Sequence, residues 1–135
     1  MLASIGFSLL LSFSAHAQEA PLQIAGAKTI DCQGAIEIMS SLPDLVIVDT
    51  RKHEDFERGH IEGAIAILDT DMTADGLAAA VRSKSTPVMF YCNGLKCGRA
   101  AHATQKALEW GYTAIFYYAE GTRDWVTNKL PLVTN

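Results

Sequence analysis

The chain has 135 residues, of which 49% are hydrophobic and 19% are charged. This length and balance are typical of one globular domain with a buried core, and they argue against a disordered protein. The net charge is −4 and no long basic run is present. Nucleic-acid binding requires concentrated positive charge, so we expect no nucleic-acid partner.

The first 17 residues differ in composition from the rest of the chain. They contain a short apolar stretch and no Lys, Arg, Asp or Glu, so only the α-amino group supplies positive charge, and they end in Ala15-His16-Ala17. A signal peptidase accepts small residues at the first and third positions of such a tripeptide. The stretch is shorter than the roughly 20 residues that span a bilayer. We therefore expect residues 1–17 to be a signal peptide and the mature protein to be exported, to the periplasm, without stable membrane insertion. An apolar N-terminal anchor or arm that is not cleaved is the alternative.

The remainder of the chain alternates short apolar runs with segments of helical spacing. Residues 18–27 are predicted to be an irregular lead-in, and residues 28–135 are predicted to form one domain. Helices are predicted in residues 31–42, with Asp31 as the N-cap, in 75–84, in 99–110, ended by Gly111, and in 122–130. Strands are predicted within residues 43–51, 59–68, 86–92 and 113–118. This alternation predicts an α/β fold, a three-layer sandwich in which helices flank a central, mainly parallel sheet.

The three cysteines, Cys32, Cys92 and Cys97, are too few for a disulfide scaffold in a chain of this length. At most one pair forms, and at least one thiol remains over. We therefore expect a free reactive thiol or a reversible pair. Cys32 lies near the start of the first predicted helix, far in sequence from the other two cysteines, and is predicted to be a buried thiol.

The loop of residues 92–99, CNGLKCGR, follows an apolar strand and leads into the predicted helix at Arg99. Cys92 should therefore lie at the carboxyl end of the strand, where open α/β sheets bind ligands. Gly94 and Gly98 would let backbone N–H groups turn inward, and the helix start would add its positive dipole end. Lys96 and Arg99 would add full charges. The predicted anion-binding residues are Asn93, Gly94, Leu95, Lys96, Cys97, Gly98 and Arg99.

An anion-binding loop also lowers the pKa of a thiol within it, because it favours the charged form. We therefore expect Cys92 to be a catalytic nucleophile that holds its product covalently, with the negative charge of that product bound by the same N–H groups. The alternative is that Cys92 is a small buried apolar residue at the end of a strand.

Three segments, in order, resemble the rhodanese family. The segment LVIVDTRKHEDFERGHIEGAI (45–65) resembles the first signature of that family, and GYTAIFYYAEGTRDWVTNKLPL (111–132) resembles its closing segment, with the cysteine loop between them. The resemblance covers about residues 28–133 and implies a rhodanese fold and sulfurtransferase activity. Cys92 would take a sulfane sulfur from a small anionic donor, thiosulfate or polysulfide, and pass it as a persulfide to a thiol or cyanide-like acceptor.

The same resemblance implies that no metal or organic cofactor is needed, since two thiol-like displacements move the sulfur. A protein is an alternative donor or acceptor. The family's loop usually carries Arg five positions after the cysteine and then Ser, whereas Cys97 stands there in this chain and Arg99 lies seven positions after Cys92. The loop therefore looks two residues longer, which would admit a bulkier donor or acceptor. The related phosphatases use Cys-x5-Arg, and the spacing here is Cys-x6-Arg, which weakens a phosphatase interpretation.

Cys97 has two interpretations. It is either a resolving thiol, which attacks a persulfide on Cys92 and releases sulfide as a disulfide forms, or a residue that packs at the start of the helix. A zinc site formed by Cys92, Cys97 and His102 is disfavoured because a fourth ligand is missing and the familiar two-residue cysteine spacing is absent.

Three charged residues are candidates to support the loop from outside it. Asp49 and Arg51 close the first predicted strand and would hold the loop in place, with an ordinary structural ion pair as the alternative. Arg58 would face the mouth of the pocket and steer anions toward it.

Two other functions remain open beside the sulfurtransferase. One is a thiol-disulfide or polysulfide reductase that uses the Cys92/Cys97 pair. The other is a sulfur-binding carrier module that accepts persulfide sulfur from a partner protein.

Overall fold

The computed structural model describes residues 19–135, so the predicted signal peptide lies outside the described residues. Ten helices and strands alternate along this part of the chain. In order they are β1 (Ala27–Thr29), α1 (Cys32–Ser41), β2 (Val46–Asp49), α2 (His53–Arg58), β3 (Ile65–Ala66), α3 (Ala74–Ala80), β4 (Val88–Tyr91), α4 (Arg99–Glu109), β5 (Ile115–Tyr118) and α5 (Gly121–Thr127).

The five strands form one sheet in the order β1-β5-β4-β2-β3, and every neighbouring pair is parallel. The prediction of an α/β sandwich around a mainly parallel sheet is therefore confirmed, and the sheet is parallel throughout. Parallel sheets are stable when both faces are covered, and helices cover both faces here. No helix among residues 19–135 is long and apolar enough to cross a membrane.

The central strand β4 contributes to two hydrophobic clusters, one on each face of the sheet. Its four residues are completely buried, and alternate side chains enter opposite clusters because the side-chain period of a strand is two. Val88 and Phe90 pack with residues of α3 and α4, including Leu77 and Ala103. On the other face, residues of β4 pack with α1 and α5. The members there include Met89, Tyr91, Ala35, Ile38 and Trp125.

Two elements have no counterpart in the prediction. Strand β1 begins at Ala27, the last residue of the predicted lead-in, and pairs with β5. Ile24, three residues before β1, packs in the core. The hydroxyl of Tyr117 donates to the carbonyl of Pro21 at 2.8 Å, which fixes the lead-in further. Helix α2 has six residues and buries only Phe56, too few positions to show a helical period in the sequence.

The predicted ends of two helices are confirmed. The Asp31 carboxylate caps α1 by accepting a hydrogen bond from the Gly34 N–H at 2.9 Å. Helix α4 ends at Glu109, and Gly111 follows it with φ +90°, a conformation that favours glycine.

Replacing Asp31 by Ala should lower the free energy of unfolding by about 1 kcal/mol, because the Gly34 N–H loses its acceptor. Asp31→Ser keeps an acceptor and should lose less than Asp31→Ala. Urea denaturation followed by circular dichroism measures both. Asp44→Ala removes an exposed aspartate with no hydrogen bond from its side chain among residues 19–135, and is the matched control. An equal loss in Asp44→Ala would contradict the capping role.

Candidate active site

Cys92 follows the last residue of β4 and is only 1% exposed. Strand β4 lies between β5 and β2, so the cysteine stands at the carboxyl edge of the sheet near its centre. This is the edge at which parallel sheets bind ligands. The structure therefore places Cys92 at the predicted position in the fold.

Cys92 and Cys97 form a disulfide, with their Cα atoms 6.4 Å apart. Between them the loop turns back on itself, and the Cys97 N–H donates to the Gly94 carbonyl at 3.0 Å. Cys97 is half-buried, whereas Cys92 is almost completely covered. Among residues 19–135 the remaining cysteine, Cys32, is a buried free thiol, as predicted. Burial raises the pKa of this thiol.

The glycines within the loop do not adopt the unusual backbone angles that the sequence suggested for them. Neither Gly94 nor Gly98 has a positive φ, and Gly98 has φ −79°. Gly94 is instead closely approached by the next loop: a Cβ on it would lie 3.4 Å from the Glu120 carbonyl oxygen. An inward turn of the loop N–H groups therefore does not depend on a positive φ at Gly94 or Gly98.

The glycine with a left-handed conformation at this site is Gly121, at the start of α5, with φ +55°. A Cβ on Gly121 would overlap the Cys92 carbonyl oxygen. This close approach lets the Thr122 N–H donate to the Cys92 carbonyl, and the Arg123 N–H to the Asn93 carbonyl, both at 3.0 Å. The start of α5 thus holds the first two residues of the loop. The only signal for this role in the sequence is a glycine, a poor helix former, at the start of a predicted helix.

Asp49 and Arg51 form a buried ion pair beside the loop. Asp49 is completely buried and Arg51 is 6% exposed, and Arg51 Nη2 lies 2.7 Å from Asp49 Oδ2. Arg51 also donates to the Gly59 carbonyl at 2.6 Å and, through Nη1, to Asn93 Oδ1 at 3.4 Å. The pair therefore reaches the loop through Asn93, as well as bracing the turn after α2.

The Tyr91 hydroxyl completes the hydrogen bonding of this ion pair. It donates to Asp49 Oδ2 at 2.6 Å and accepts from the Ile61 N–H at 3.1 Å. Burial, and then the charge of Asp49, raise the pKa of Tyr91, so the hydroxyl keeps the proton that it donates. Burial lowers the pKa of Arg51, but hydrogen bonding to Asp49 and its charge outweigh burial and leave that pKa raised. The Tyr91 hydroxyl and the Arg51 guanidinium therefore keep the protons with which they hold the Asp49 carboxylate in place.

The Arg99 side chain contacts both the loop and a carboxylate outside the loop. Its Nε lies 3.6 Å from Asp69 Oδ1, and its Nη1 lies 3.9 Å from Cys97 Sγ. Asp69 Oδ2 also lies 2.8 Å from His102 Nδ1. The positive charge of Arg99 is thus partly neutralised by Asp69, and His102 is engaged on the same carboxylate.

Arg58 is exposed on α2 and forms an ion pair with Asp55 of the same helix, and Asp55 lines one of the cavities beside the loop. Arg58 itself does not line the cavities that border the loop, so steering of anions by Arg58 stays a prediction. No group of three or more His, Cys, Asp and Glu side chains within residues 19–135 is arranged to hold a metal ion.

Two cavities that border the loop share Asn93 in their linings. The first, of about 250 Å³, borders no cysteine; it is lined by Arg51, Lys52, Asp55, Asn93 and Arg99. The second, of about 230 Å³, borders Cys97; it is lined by Asn93, Gly94, Leu95, Lys96, Cys97 and Arg123. The sequence did not indicate Arg123, because only the packing of α5 brings it to the loop.

The chain matches the sequence model of the rhodanese-like domain over residues 33–128. The uncharacterized protein YibN of Escherichia coli K12 is 35% identical over 91 residues. Those residues are 67% of this chain and 62% of YibN, so the match spans less than two thirds of that relative.

Solved structures share the fold at lower identity. Thiosulfate sulfurtransferase from Pseudomonas aeruginosa superposes with a TM-score of 0.68 at 17% identity, over 80% of this chain and 20% of that one. The polysulfide-sulfur transferase of Wolinella succinogenes superposes with a TM-score of 0.64 at 20% identity, over 82% of this chain and 81% of that one. Identities this low establish a common fold alone.

Gly121→Ala should lower the free energy of unfolding by more than a glycine substitution that causes backbone strain alone, without a steric clash. Gly111→Ala is the matched control, because Gly111 also has a positive φ but a Cβ on it would have no neighbouring atom within 4 Å. We expect Gly111→Ala to cost about 1 kcal/mol, and Gly121→Ala about 2–4 kcal/mol because it also displaces the Cys92 carbonyl. Thermal or urea unfolding of both variants measures the difference. Equal losses would contradict the close approach of α5 to the loop.

Proposed function

The chain belongs to the rhodanese-like domain family, and we propose that it is a sulfurtransferase whose nucleophile is Cys92. The observation that carries this proposal is the position of Cys92, at the carboxyl end of the central strand, with its carbonyl held by α5. A second sulfur within bonding distance, on Cys97, adds support for sulfur chemistry at this loop. The related folds include proteins described as thiosulfate and polysulfide-sulfur transferases.

Transfer would begin from the reduced pair. The Cys92 thiolate attacks the outer sulfur of thiosulfate, the sulfur–sulfur bond of the donor breaks, and sulfite leaves with the electron pair. The persulfide so formed on Cys92 keeps a negative charge, which N–H groups of residues 93–98 would hold. A thiolate or cyanide then attacks the outer sulfur, and Cys92 leaves as the thiolate. Lys96 would draw the anionic donor to the loop, with a weaker contribution from Arg99 because Asp69 lies beside it.

The disulfide favours a second candidate function, reduction of sulfane sulfur to sulfide. In this reaction the persulfide first takes up a proton from water, the Cys97 thiolate attacks Cys92 Sγ, the bond to the outer sulfur breaks, hydrosulfide leaves with the electron pair and that proton, and the Cys92–Cys97 bond forms. Two external thiols then reduce the protein and become one disulfide. The pairing of Cys92 with Cys97 is the observation that supports this route. A sulfur-carrier module would instead load Cys92 and await a partner protein.

We also propose that the protein acts after export, in the periplasm. The Ala15-His16-Ala17 pattern supports cleavage after residue 17. A disulfide is also more stable in an oxidising compartment than in the cytosol.

The Cys92→Ser variant should lose thiocyanate formation from thiosulfate and cyanide to the uncatalysed rate, because serine does not form a persulfide. The assay uses purified, reduced protein, with thiocyanate measured as its iron complex. Cys32→Ala, at the buried free thiol outside the loop, is the matched control and should retain the activity. Activity unchanged in Cys92→Ser would overturn the sulfurtransferase proposal.

Cys97→Ser separates transfer from reduction. If transfer to an external acceptor is the main reaction, Cys97→Ser should form thiocyanate at a rate within about threefold of the wild type, since an accessory thiol is all that is lost. If reduction is the main reaction, the variant should still load one sulfur on Cys92, seen as a mass increase, but should release no sulfide from polysulfide. The measurements are the thiocyanate rate, intact mass and sulfide release.

A further inference from the structure

We infer that Lys96 and Arg123 form an anion subsite that directs small, negatively charged thiolates to Cys97. On this inference Cys97 is the sulfur attacked when the disulfide is reduced, and Cys92 is the sulfur that leaves. The inference deepens the proposed function, on which its biological meaning rests, by naming the class of reductant that regenerates the Cys92 thiolate.

The two sulfurs differ in access. Cys92 is 1% exposed at the end of β4, whereas Cys97 is half-buried and lies between two exposed residues, Lys96 and Gly98. Which sulfur of a disulfide is attacked depends on access as well as on the leaving group. Access alone therefore favours attack at Cys97.

The cavity beside the disulfide is lined by the same cysteine. Its lining includes Cys97 but not Cys92, and its charged members are Lys96 and Arg123. The cavity of Arg51, Lys52 and Arg99 includes no cysteine in its lining and also includes the carboxylate of Asp55, although Arg99 Nη1 lies 3.9 Å from Cys97 Sγ. The cavity of Lys96 and Arg123, which is lined by Cys97 itself and by no carboxylate, is therefore the better placed of the two for an anion that is to react with the disulfide.

These two cations are available to a ligand. Within residues 19–135 neither Lys96 nor Arg123 has a carboxylate within 4 Å, in contrast to Arg51 and Arg99, which pair with Asp49 and Asp69. The backbone of Arg123 is fixed to the loop, because its N–H donates to the Asn93 carbonyl.

Carboxylates line another cavity beside Lys96 and Arg123, but not the cavity that Cys97 lines. A neighbouring cavity of about 300 Å³ shares these two cations but is also lined by Glu19, Glu120 and Asp124. These acidic groups disfavour an anion in that cavity, and leave the side facing Cys97 as the favourable position. The arrangement therefore favours a negatively charged ligand, and favours binding of that ligand in the cavity lined by Cys97.

The reaction at this subsite is a two-step exchange. A thiolate attacks Cys97 Sγ, a mixed disulfide forms between the reductant and Cys97, and the Cys92–Cys97 bond breaks with the electron pair on Cys92. A second thiolate attacks the reductant's sulfur in the mixed disulfide, and Cys97 leaves as a thiolate. Two thiolates are oxidised to one disulfide, and the protein disulfide is reduced by two electrons.

The test compares a charged and a neutral reductant on the oxidised, full-length protein. Mercaptosuccinate, which carries two carboxylates, and 2-mercaptoethanol are used at matched thiolate concentrations, and released protein thiols are followed with time. Arg123→Gln should slow reduction by mercaptosuccinate roughly 3–10-fold at low salt, because one screened attraction is lost. Reduction by 2-mercaptoethanol should change less than about twofold, since no comparable charge is attracted. Lys96→Gln should behave in the same way.

Arg82→Gln is the matched control. Arg82 is exposed in the segment between α3 and β4, and therefore lies toward the amino end of β4, away from the loop. It should leave both rates unchanged. Equal slowing of the two reductants by Arg123→Gln, or no effect on either, would overturn the anion subsite.

A separate experiment determines which sulfur is attacked. The reaction is quenched with acid during reduction, free thiols are alkylated, and the modified cysteines are identified by peptide mapping. The expected trapped species carries mercaptosuccinate on Cys97 and the alkyl group on Cys92. The reverse placement would overturn the assignment of Cys97 as the attacked sulfur. Because neither experiment contains a sulfane sulfur, their failure would leave the thiocyanate result for Cys92→Ser standing, and a failed thiocyanate assay would leave these results standing.

Discussion

The buried carboxylate of Asp49 is the constraint on which the arrangement of the site depends. A carboxylate in the interior is unfavourable unless charge and hydrogen bonds compensate for lost water. Arg51 supplies the charge, and Tyr91 supplies a hydroxyl at 2.6 Å. With one side of its guanidinium engaged by Asp49, Arg51 directs its remaining hydrogen bonds to the Gly59 carbonyl and to Asn93. One buried charge therefore joins β2, β4, the turn after α2 and the cysteine loop.

The loop is held more firmly at its beginning than in its outer part. The carbonyls of Cys92 and Asn93 both accept hydrogen bonds from the start of α5, and the Asn93 side chain meets Arg51. Farther along, the Cys97 N–H bonds to Gly94 and the Leu95 carbonyl accepts from Ala20, beside the disulfide itself. Opening the disulfide would therefore release Cys97 from one of its few restraints and leave the Cys92 backbone in place.

Local patterns in the sequence predicted those parts of the fold that depend on neighbours along the chain. The buried runs around β2, β4 and β5, the cap at Asp31 and the end of α4 before Gly111 are such features. The order of the strands and the roles of Gly121 and Arg123 depend on packing between distant segments, which no local period records. Strand β1 was missed because three residues that pair with β5 show no alternation of their own. The position of Cys92 was predictable because a strand followed by a basic, glycine-containing loop has a defined place in a parallel sheet.

The distribution of charge gives the two sulfurs of the loop different surroundings. Arg51 and Arg99 each form an ion pair with a carboxylate, which fixes their side chains in the structure. Arg99 approaches Cys97 Sγ no closer than 3.9 Å. Lys96 and Arg123 have no such partner among residues 19–135 and lie on the exposed side of the loop. A charge paired in the interior fixes geometry, whereas an exposed and unpaired charge attracts a ligand over roughly a Debye length, about 8 Å at physiological salt. The fold thus combines a rigidly placed, covered sulfur with an accessible one in a field that favours anions. On the proposed function, geometry would control the chemistry at Cys92, and charge would control which molecules reach Cys97.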